Sequence, residues 1–286
     1  MPVYDLFGNL IDVPYDVERN KLSQVYDIEK NPLLPTEPDI VVMTYNVQFF
    51  RGLNSNQAMQ DEIISKYEPA IIGMQELGKT STLPSVAVNM LKDYPYKEFS
   101  ELNNRDLLVS KLALSNVVHA EFEHQDPEDM STWGDTRGYI MADITVNGKT
   151  IKWINTHLCY LTQSIKWQQM EELFDLAEQY EYAILMGDFN SEPMDSAYSD
   201  DYVNMYKQFV DAGYELANNS PEAGFTNTWT ESRTATSLAD FTWPCDSIIV
   251  SSNIHILNKV FDLTKLEYLD GNPVDHIPVV AELVVH

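Results

Sequence analysis

Basic residues are scarce in this chain of 286 residues: 18 Lys+Arg stand against 44 Asp+Glu, a formal net charge of −26. Such a charge keeps a protein soluble and repels polyanions at long range. It argues against the broad basic groove that marks tight, non-specific nucleic-acid binding. Chemistry on a polyanion through a bound divalent cation stays open, because the ion supplies the positive field locally. Cysteine is also sparse. Cys159 and Cys245 are the only two, too few for a disulfide framework, and no Cys/His cluster has zinc spacing. Both read as buried thiols. No apolar run approaches the length of a membrane span, and the first twenty residues lack the basic and apolar regions of a secretion signal. The expectation is a soluble chain, cytoplasmic by default, with no membrane insertion.

What is present is enough apolar material for a sizeable core: 44% hydrophobic and 11% aromatic residues. The length suits one large α/β domain or two small ones. Residues 1–36 stand apart. Tyr4-Asp5-Leu6 with Asn9, Tyr15-Asp16-Val17 with Asn20, and Tyr26-Asp27-Ile28 with Asn31 repeat one unit with a period of 11 residues. Each copy alternates apolar and polar residues and runs into turn formers, the pattern of a small hairpin or a bend. The segment is too short to hold itself together, so self-association or docking to a partner is one expected role, and a strap packed on its own domain is the other. Three prolines within "NPLLPTEPD" read as a linker. The boundary is placed between a 1–36 appendage and a 37–286 domain.

Beyond the linker, short apolar runs alternate with helical patterns. Strands are expected at "DIVVMTYNV", "AIIGMQE", "DLLVSKLAL", "YAILMGDFN", "DSIIVSSNIHILNKVFDL" and "IPVVAELVV". "GYIMADITVNGKTIKWINTHL" reads as a hairpin turning at Asn147-Gly148, a pair suited to a tight turn. Helices are expected at "NQAMQDEIISKYEP", "SVAVNMLKDYP", "SIKWQQMEELFDLAEQY" and "VNMYKQFVDAGY". The mixture predicts an α/β (α+β) fold of two mixed sheets packed face to face, with helices outside.

The strand ends carry the chemistry. Asn46 closes the first strand and Glu76 the second, Asn155 and His157 close the hairpin, and Asp188 and Asn190 close "LMGDFN". Asp246 opens one late strand and Asp275-His276 the last. Singly, each has a bland explanation as a turn residue, a cap or a solvated charge. Asp188 and Asn190, two residues apart on an extended segment, point the same way. So many polar and ionisable groups at the ends of alternating strands match how α/β scaffolds build sites.

These segments, "TYNVQ", "GMQE", "NTHL", "GDFNSEP", "CDSIIVSS" and "DHIPV", resemble in type and order the endonuclease/exonuclease/phosphatase superfamily. The likeness runs from Val41 to Val285. It implies a four-layer sandwich and a divalent-metal phosphoesterase using Mg²⁺ or Mn²⁺, with Ca²⁺ as a candidate structural ion. By that resemblance Glu76, Asn46 and Asp275 form the metal shell, and His276, held by Asp246, is the base. Asp188 orients the nucleophile, Asn190 donates to a phosphoryl oxygen, and His157 donates to a phosphoryl or leaving oxygen. The residue types suit that chemistry, since a phosphodiester needs a cation on its oxygens, a base near the nucleophile and an acid or cation near the leaving group. Where the family often has an acid two residues after the Asn, this chain has Gln48.

"TWPCDSII" has Ser247 where the similar inositol 5-phosphatases carry Arg, which counts against a polyphosphoinositide substrate. "HQDPEDMSTWGDTRG" is an acidic loop ill suited to anionic lipid. Arg51, Lys79 and Arg137 are the cations placed to touch a phosphate backbone, against the alternative that all three are solvated surface charge. The expected activity is a metal-dependent phosphodiester hydrolase acting on DNA. A phosphomonoesterase or a sphingomyelin/phospholipid diesterase is the alternative, and a non-catalytic binding protein on the same scaffold is a remote third.

Overall fold

A computed structural model of the chain describes residues 3–4, 10–11, 37–48, 62–78, 85–100, 102, 105–133, 136–191, 199–220, 224–225, 228, 244–261 and 275–286. At the N-terminus β1 (Val3–Tyr4) pairs antiparallel with β2 (Leu10–Ile11). This is the hairpin option for the first repeat. The second and third repeats and the proline linker lie outside the described residues.

Two six-stranded sheets make up the domain. The first contains β3 (Ile40–Asn46), β4 (Ile71–Gln75), β5 (Tyr96–Phe99), β6 (Leu107–Ser110), β15 (Ile254–Phe261) and β16 (Val279–Val285), in the order β15-β16-β3-β4-β6-β5. The second contains β7 (Ser115–Glu121), β8 (Gly138–Val146), β9 (Lys149–His157), β10 (Ala183–Asp188), β11 (Glu215–Leu216) and β14 (Asp246–Val250), in the order β11-β14-β10-β9-β8-β7. A two-stranded pair, β12 (Asn219–Ser220) and β13 (Gly224–Phe225), stands beside them. The pairs β3–β4 and β9–β10 are parallel and the other pairs of the two sheets antiparallel, so both sheets are mixed, as the sequence predicts.

The layering follows from strand periodicity. Successive side chains point to opposite faces, and the central strands are apolar on both, so each feeds two cores. Ile40 and Val42 of β3 and Ile184 and Met186 of β10 face inward to the core between the sheets. Met43 and Tyr45 of β3 face outward to Ile63 and Ile64 in helical residues 62–67 (α1), and to Met90 of α2 (Ser85–Met90). Ala183 and Leu185 of β10 face outward to α4 (Gln163–Ala177) and α5 (Ser199–Asp211). Met170, Leu173 and Ala177 of α4 recur at helical spacing and are fully buried, so one stripe of the helix covers the sheet. Each large apolar side chain buried this way contributes about 1.5–3 kcal/mol. The result is helix, sheet, sheet, helix. Among the described residues no helix is long and apolar enough to cross a membrane.

Three expectations change. "DLLVSKLAL" is not one strand: β6 stops at Ser110, whose Oγ accepts from the Leu112 amide at 2.9 Å, and the chain crosses to the other sheet before β7 begins. β5 and β7 escape sequence reading because both are sheet edges. β7 is largely exposed and lacks an apolar alternation. The stretch read as an acidic loop contains α3 (Pro127–Trp133), started by the Asp126 carboxylate, which accepts from the Glu128 amide at 2.8 Å. The Asn147-Gly148 turn is as expected, with φ of 51° and 78°, the two left-handed residues of a tight hairpin.

The inner core turns polar toward one end. Gln75 Nε2 of the first sheet donates to Asn155 Oδ1 of the second at 2.7 Å and to Thr44 Oγ1 at 3.2 Å. Gly73 makes the close approach possible: a Cβ there would sit 2.3 Å from Asn155 Oδ1 and 2.5 Å from Met186 Sδ. Gly73→Ala should therefore lower stability by about 1–3 kcal/mol, the usual effect of overpacking a core. Urea denaturation checks this; an unchanged midpoint would show that the inter-sheet contact is looser than described.

Candidate active site

The site is the polar end of the inner-face pattern. On β9 the inward positions run Ile151, Trp153, Asn155, His157; on β10 they run Ile184, Met186, Asp188; on β14, read backwards, Val250, Ile248, Asp246. Strand register then aligns the last members. Asp188 pairs with His157 on one side and with Asp246 on the other. On the facing sheet, β3 ends in Asn46 beside Gln75 of β4, and Glu76 follows. Asp275 and His276 stand just ahead of β16, next to β3.

Asp188 is the hub. Its Oδ2 accepts from Asn46 Nδ2 across the sheets at 2.9 Å and lies 3.5 Å from His157 Nε2 and 3.6 Å from His276 Nε2. Its Oδ1 accepts from the Asn190 amide at 2.8 Å. This bond turns the chain at Asn190, which has a φ of 49°. Gly187 precedes because a Cβ there would lie 2.0 Å from the Thr156 carbonyl oxygen of β9. Asn46 Nδ2 also donates to Glu76 Oε1 at 3.2 Å, while Asn46 Oδ1 accepts from the Gln48 amide at 3.0 Å. Gln48 Nε2 in turn donates to Asp275 Oδ2. Gln48 and Glu76, with φ of 41° and 57°, share the left-handed backbone of Asn190. Such strain gathers at functional sites.

His276 Nδ1 lies 2.8 Å from Asp246 Oδ2, and its Nε2 faces Asp188 and Asp275. Burial alone would lower the pKa of His276; Asp246, Asp188, the Asp246 hydrogen bond and Asp275 outweigh it and push it up to about 10. Burial is the largest influence on Asp246, raised to about 6 despite the opposing effect of His276. Burial would also raise Asp188, but His157, His276 and the donated hydrogen bonds hold it below the usual carboxylate range. His157 is the opposite case from His276: burial first, then the Arg137 charge, lowers it to about 3. It is therefore neutral, and its Nδ1 is buried with no hydrogen-bond partner among the described residues.

Glu76 is pushed up to about 7, chiefly by burial, with Asp275 and Asp188 adding repulsion. Four carboxylates, those of Glu76, Asp188, Asp246 and Asp275, thus converge on two imidazoles. Ligand atoms of Glu76, His157 and Asp188 lie within 4.8 Å of one another, as do those of Asp188, Asp246 and His276. One Asp275 oxygen is buried without a hydrogen-bond partner among the described residues. Excess buried negative charge on oxygen donors is what a hard divalent cation requires, so the residues fit one.

Most of the sequence-predicted residues meet here: Asn46, Glu76, His157, Asp188, Asn190, Asp246, Asp275 and His276. Asn46 presents its amide nitrogen to the carboxylates and its oxygen to the Gln48 amide. Arg137, expected at the substrate, is 3% exposed and paired with Asp129, its Nε 2.7 Å from Oδ2; its charge acts from within, on His157 and Glu76. Arg51 and Lys79 lie outside the described residues. Ser247 points away from the site, to Asn218 Oδ1 at 2.7 Å. Sequence reading missed Thr228, whose hydroxyl accepts from the Asp246 amide at 2.9 Å and whose carbonyl accepts from the Ile277 amide at 3.0 Å. It also missed Lys166, buried in what reads as a simple amphipathic helix.

The sequence pattern described as the Endonuclease/Exonuclease/phosphatase family matches residues 43–259. Similar solved structures include an endonuclease/exonuclease/phosphatase from Bacteroides vulgatus, with 17% identity, a TM-score of 0.66 and coverage of 86% of this chain and 99% of that one. The 3′ phosphatase NExo from Neisseria, bound to a product DNA hairpin, has 21% identity and a TM-score of 0.62 over 86% and 99%. An AP endonuclease from Archaeoglobus fulgidus has 20% identity and a TM-score of 0.63 over the same shares. At these identities the likeness establishes the fold. No curated protein matches the chain.

The His276–Asp246 pair gives a direct measurement. In metal-free protein the His276 imidazole should stay protonated through neutral pH. Asp246→Asn removes a charge that raises its pKa, so the titration should move down toward the ordinary value near 6.5. Imidazole NMR shifts followed against pH test this; an unmoved titration would show that Asp246 does not hold the ring.

Proposed function

The chain belongs to the endonuclease/exonuclease/phosphatase family, and on that premise we propose that it is a divalent-metal-dependent phosphodiester hydrolase acting on DNA. The observation that carries this reading is the Asp188 carboxylate, shared between Asn46 of the facing sheet and two imidazoles within 3.6 Å. Glu76, with Asp188 beside it, would hold Mg²⁺ or Mn²⁺, and Asp275 would complete the acidic surround. When bound, the cation would supply positive charge for the phosphoryl and leaving oxygens and offset the carboxylate charge that keeps His276 protonated.

The protein's own groups divide the remaining work. Asp246 fixes His276 through Nδ1, leaving Nε2 toward Asp188 and the reacting centre. A neutral His276 in that orientation accepts a proton from the attacking water at Nε2, and Asp188 orients that water. His157 is neutral, so it carries one ring proton. Among the described residues Nδ1 has no partner and Nε2 faces acceptors, which supports a proton on Nε2 that would be donated to a phosphoryl or leaving oxygen. Asn190 uses one amide hydrogen on the Leu158 carbonyl at 2.9 Å; the other can meet a phosphoryl oxygen. Gln48 suits the arrangement, since an acid there would face Asp275 with a like charge.

Cleavage of a fluorogenic DNA substrate should require Mg²⁺ or Mn²⁺ and cease in EDTA. Glu76→Gln should fold normally and lose about 10²–10³ in turnover, the usual cost of removing one electrostatic element. EDTA-resistant cleavage, or full activity in Glu76→Gln at saturating Mg²⁺, would overturn the metal assignment. DNA binding should be weak without a divalent cation and have a shallow salt slope, because few phosphates are neutralised by side chains. Tight, steeply salt-dependent binding in EDTA would contradict this.

A further inference from the structure

A lysine is buried under the acidic site, and the mechanism proposed for the site leaves it without a role. Lys166 lies in the first turn of α4, is 1% exposed, and donates from Nζ to the backbone carbonyl of Asn190 at 2.6 Å. Helix stability does not account for it: a cation in the first turn opposes the helix dipole. Packing does not account for it either, because a buried ammonium carries a desolvation penalty that a methionine of similar length would avoid. What it touches does account for it. Asn190 is left-handed, and its amide is the donor to Asp188 Oδ1. The next residue, Ser191, is gripped by Tyr206 from α5, with the two hydroxyls 2.6 Å apart. Cys245, on the other side, feels the positive charge of Lys166 and the negative charges of Asp188 and Asp246 together.

We propose that Lys166 is a positioning residue for the site: its ammonium clamps the Asn190 carbonyl and sets a fixed positive charge beneath the acidic cluster. The clamp holds the turn that aims Asp188 and the Asn190 amide. The charge offsets part of the carboxylate repulsion before a cation binds, and it also opposes that cation. Loss of Lys166 should thus move turnover and metal affinity in opposite directions, a signature that general loosening of the fold does not produce. The kinetic part of this inference rests on the proposed phosphodiesterase reading; the metal-binding part does not.

The test compares Lys166→Met, Lys166→Gln and Lys166→Arg, using kcat and KM on a short DNA oligonucleotide and Mg²⁺ titration by calorimetry. Lys166→Met should lower kcat roughly 10- to 100-fold with little change in KM, as expected when reacting groups are misplaced. It should bind Mg²⁺ roughly three- to tenfold more tightly, because one opposing charge is gone. Lys166→Gln keeps a donor without the charge, so it should share the tighter Mg²⁺ binding and lose less turnover. Lys166→Arg should keep Mg²⁺ affinity near that of the unaltered protein. If Lys166→Met does not fold, the Gln and Arg variants carry the comparison. Turnover within twofold of the unaltered protein in both neutral variants would overturn the proposal, as would a parallel fall in turnover and Mg²⁺ affinity. If the unaltered protein cleaves no phosphoester, the functional reading fails by itself. The Mg²⁺ titrations then decide the inference, which unchanged affinity in the neutral variants would refute.

Discussion

The hydrogen bond from Asn46 to Asp188 is the interaction on which the site depends, because it joins the two sheets at the point where their shared core stops being apolar. Two twisted sheets packed through Ile, Val and Trp side chains have no strong preference for one exact alignment. A buried carboxylate facing a buried amide does, since an unmatched polar atom there costs about 1–3 kcal/mol. Asn46 satisfies two acids at once, Glu76 on its own sheet and Asp188 on the other. Behind it the bond from Gln75 to Asn155 repeats the join one layer deeper. Both bonds fall on inner-face positions adjoining those of the reacting groups, so alignment of the sheets and alignment of the chemistry are one constraint.

That constraint concentrates negative charge. Glu76, Asp188, Asp246 and Asp275 would repel one another if all were ionised, and the structure spreads the load in three ways. Protons remain on Glu76 and His276 up to about 7 and about 10. Neutral donors, Asn46 and Gln48, stand where further acids would add repulsion. Fixed cations, Arg137 and Lys166, sit outside the reacting row, paired with Asp129 and with the Asn190 carbonyl. A divalent cation held there would stand in for those protons, while the two histidines, both buried, differ in charge because Arg137 acts on His157 and the carboxylates of Asp246 and Asp188 on His276.

How far the sequence discloses this depends on which physical signal each residue leaves. The central strands are legible because burial on both faces gives continuous apolar runs, and the site residues because they are polar groups ending those runs at the inward period. β5 and β7 leave no such signal: an edge strand wetted on its faces has nothing to alternate. Arg137 is misread since a cation in an acidic, turn-rich stretch looks solvated, and only the fold shows Asp129 of α3 brought against it. Thr228 and Lys166 are illegible for a related reason. Their partners, Asp246 and Ile277 for one and Asn190 for the other, are brought near by tertiary packing, and a lysine amid glutamine and tryptophan in a helix carries no mark of where its ammonium ends.

The charge deficit that opens the sequence acquires a second meaning from these placements. Among the described residues, the two cations closest to the chemistry are turned inward to brace it and present no charge to a passing polyanion. On the proposed reading a phosphate backbone approaching this face would meet carboxylates until a metal ion is in place, so attraction and catalytic competence would arrive together. Electrostatic steering of the kind supplied by a basic groove would hold nucleic acid whether or not the site could act on it. On the proposed reading the long-range field is repulsive and the short-range one would depend on the cation, tying substrate affinity to occupancy of the same few ångströms where hydrolysis would take place.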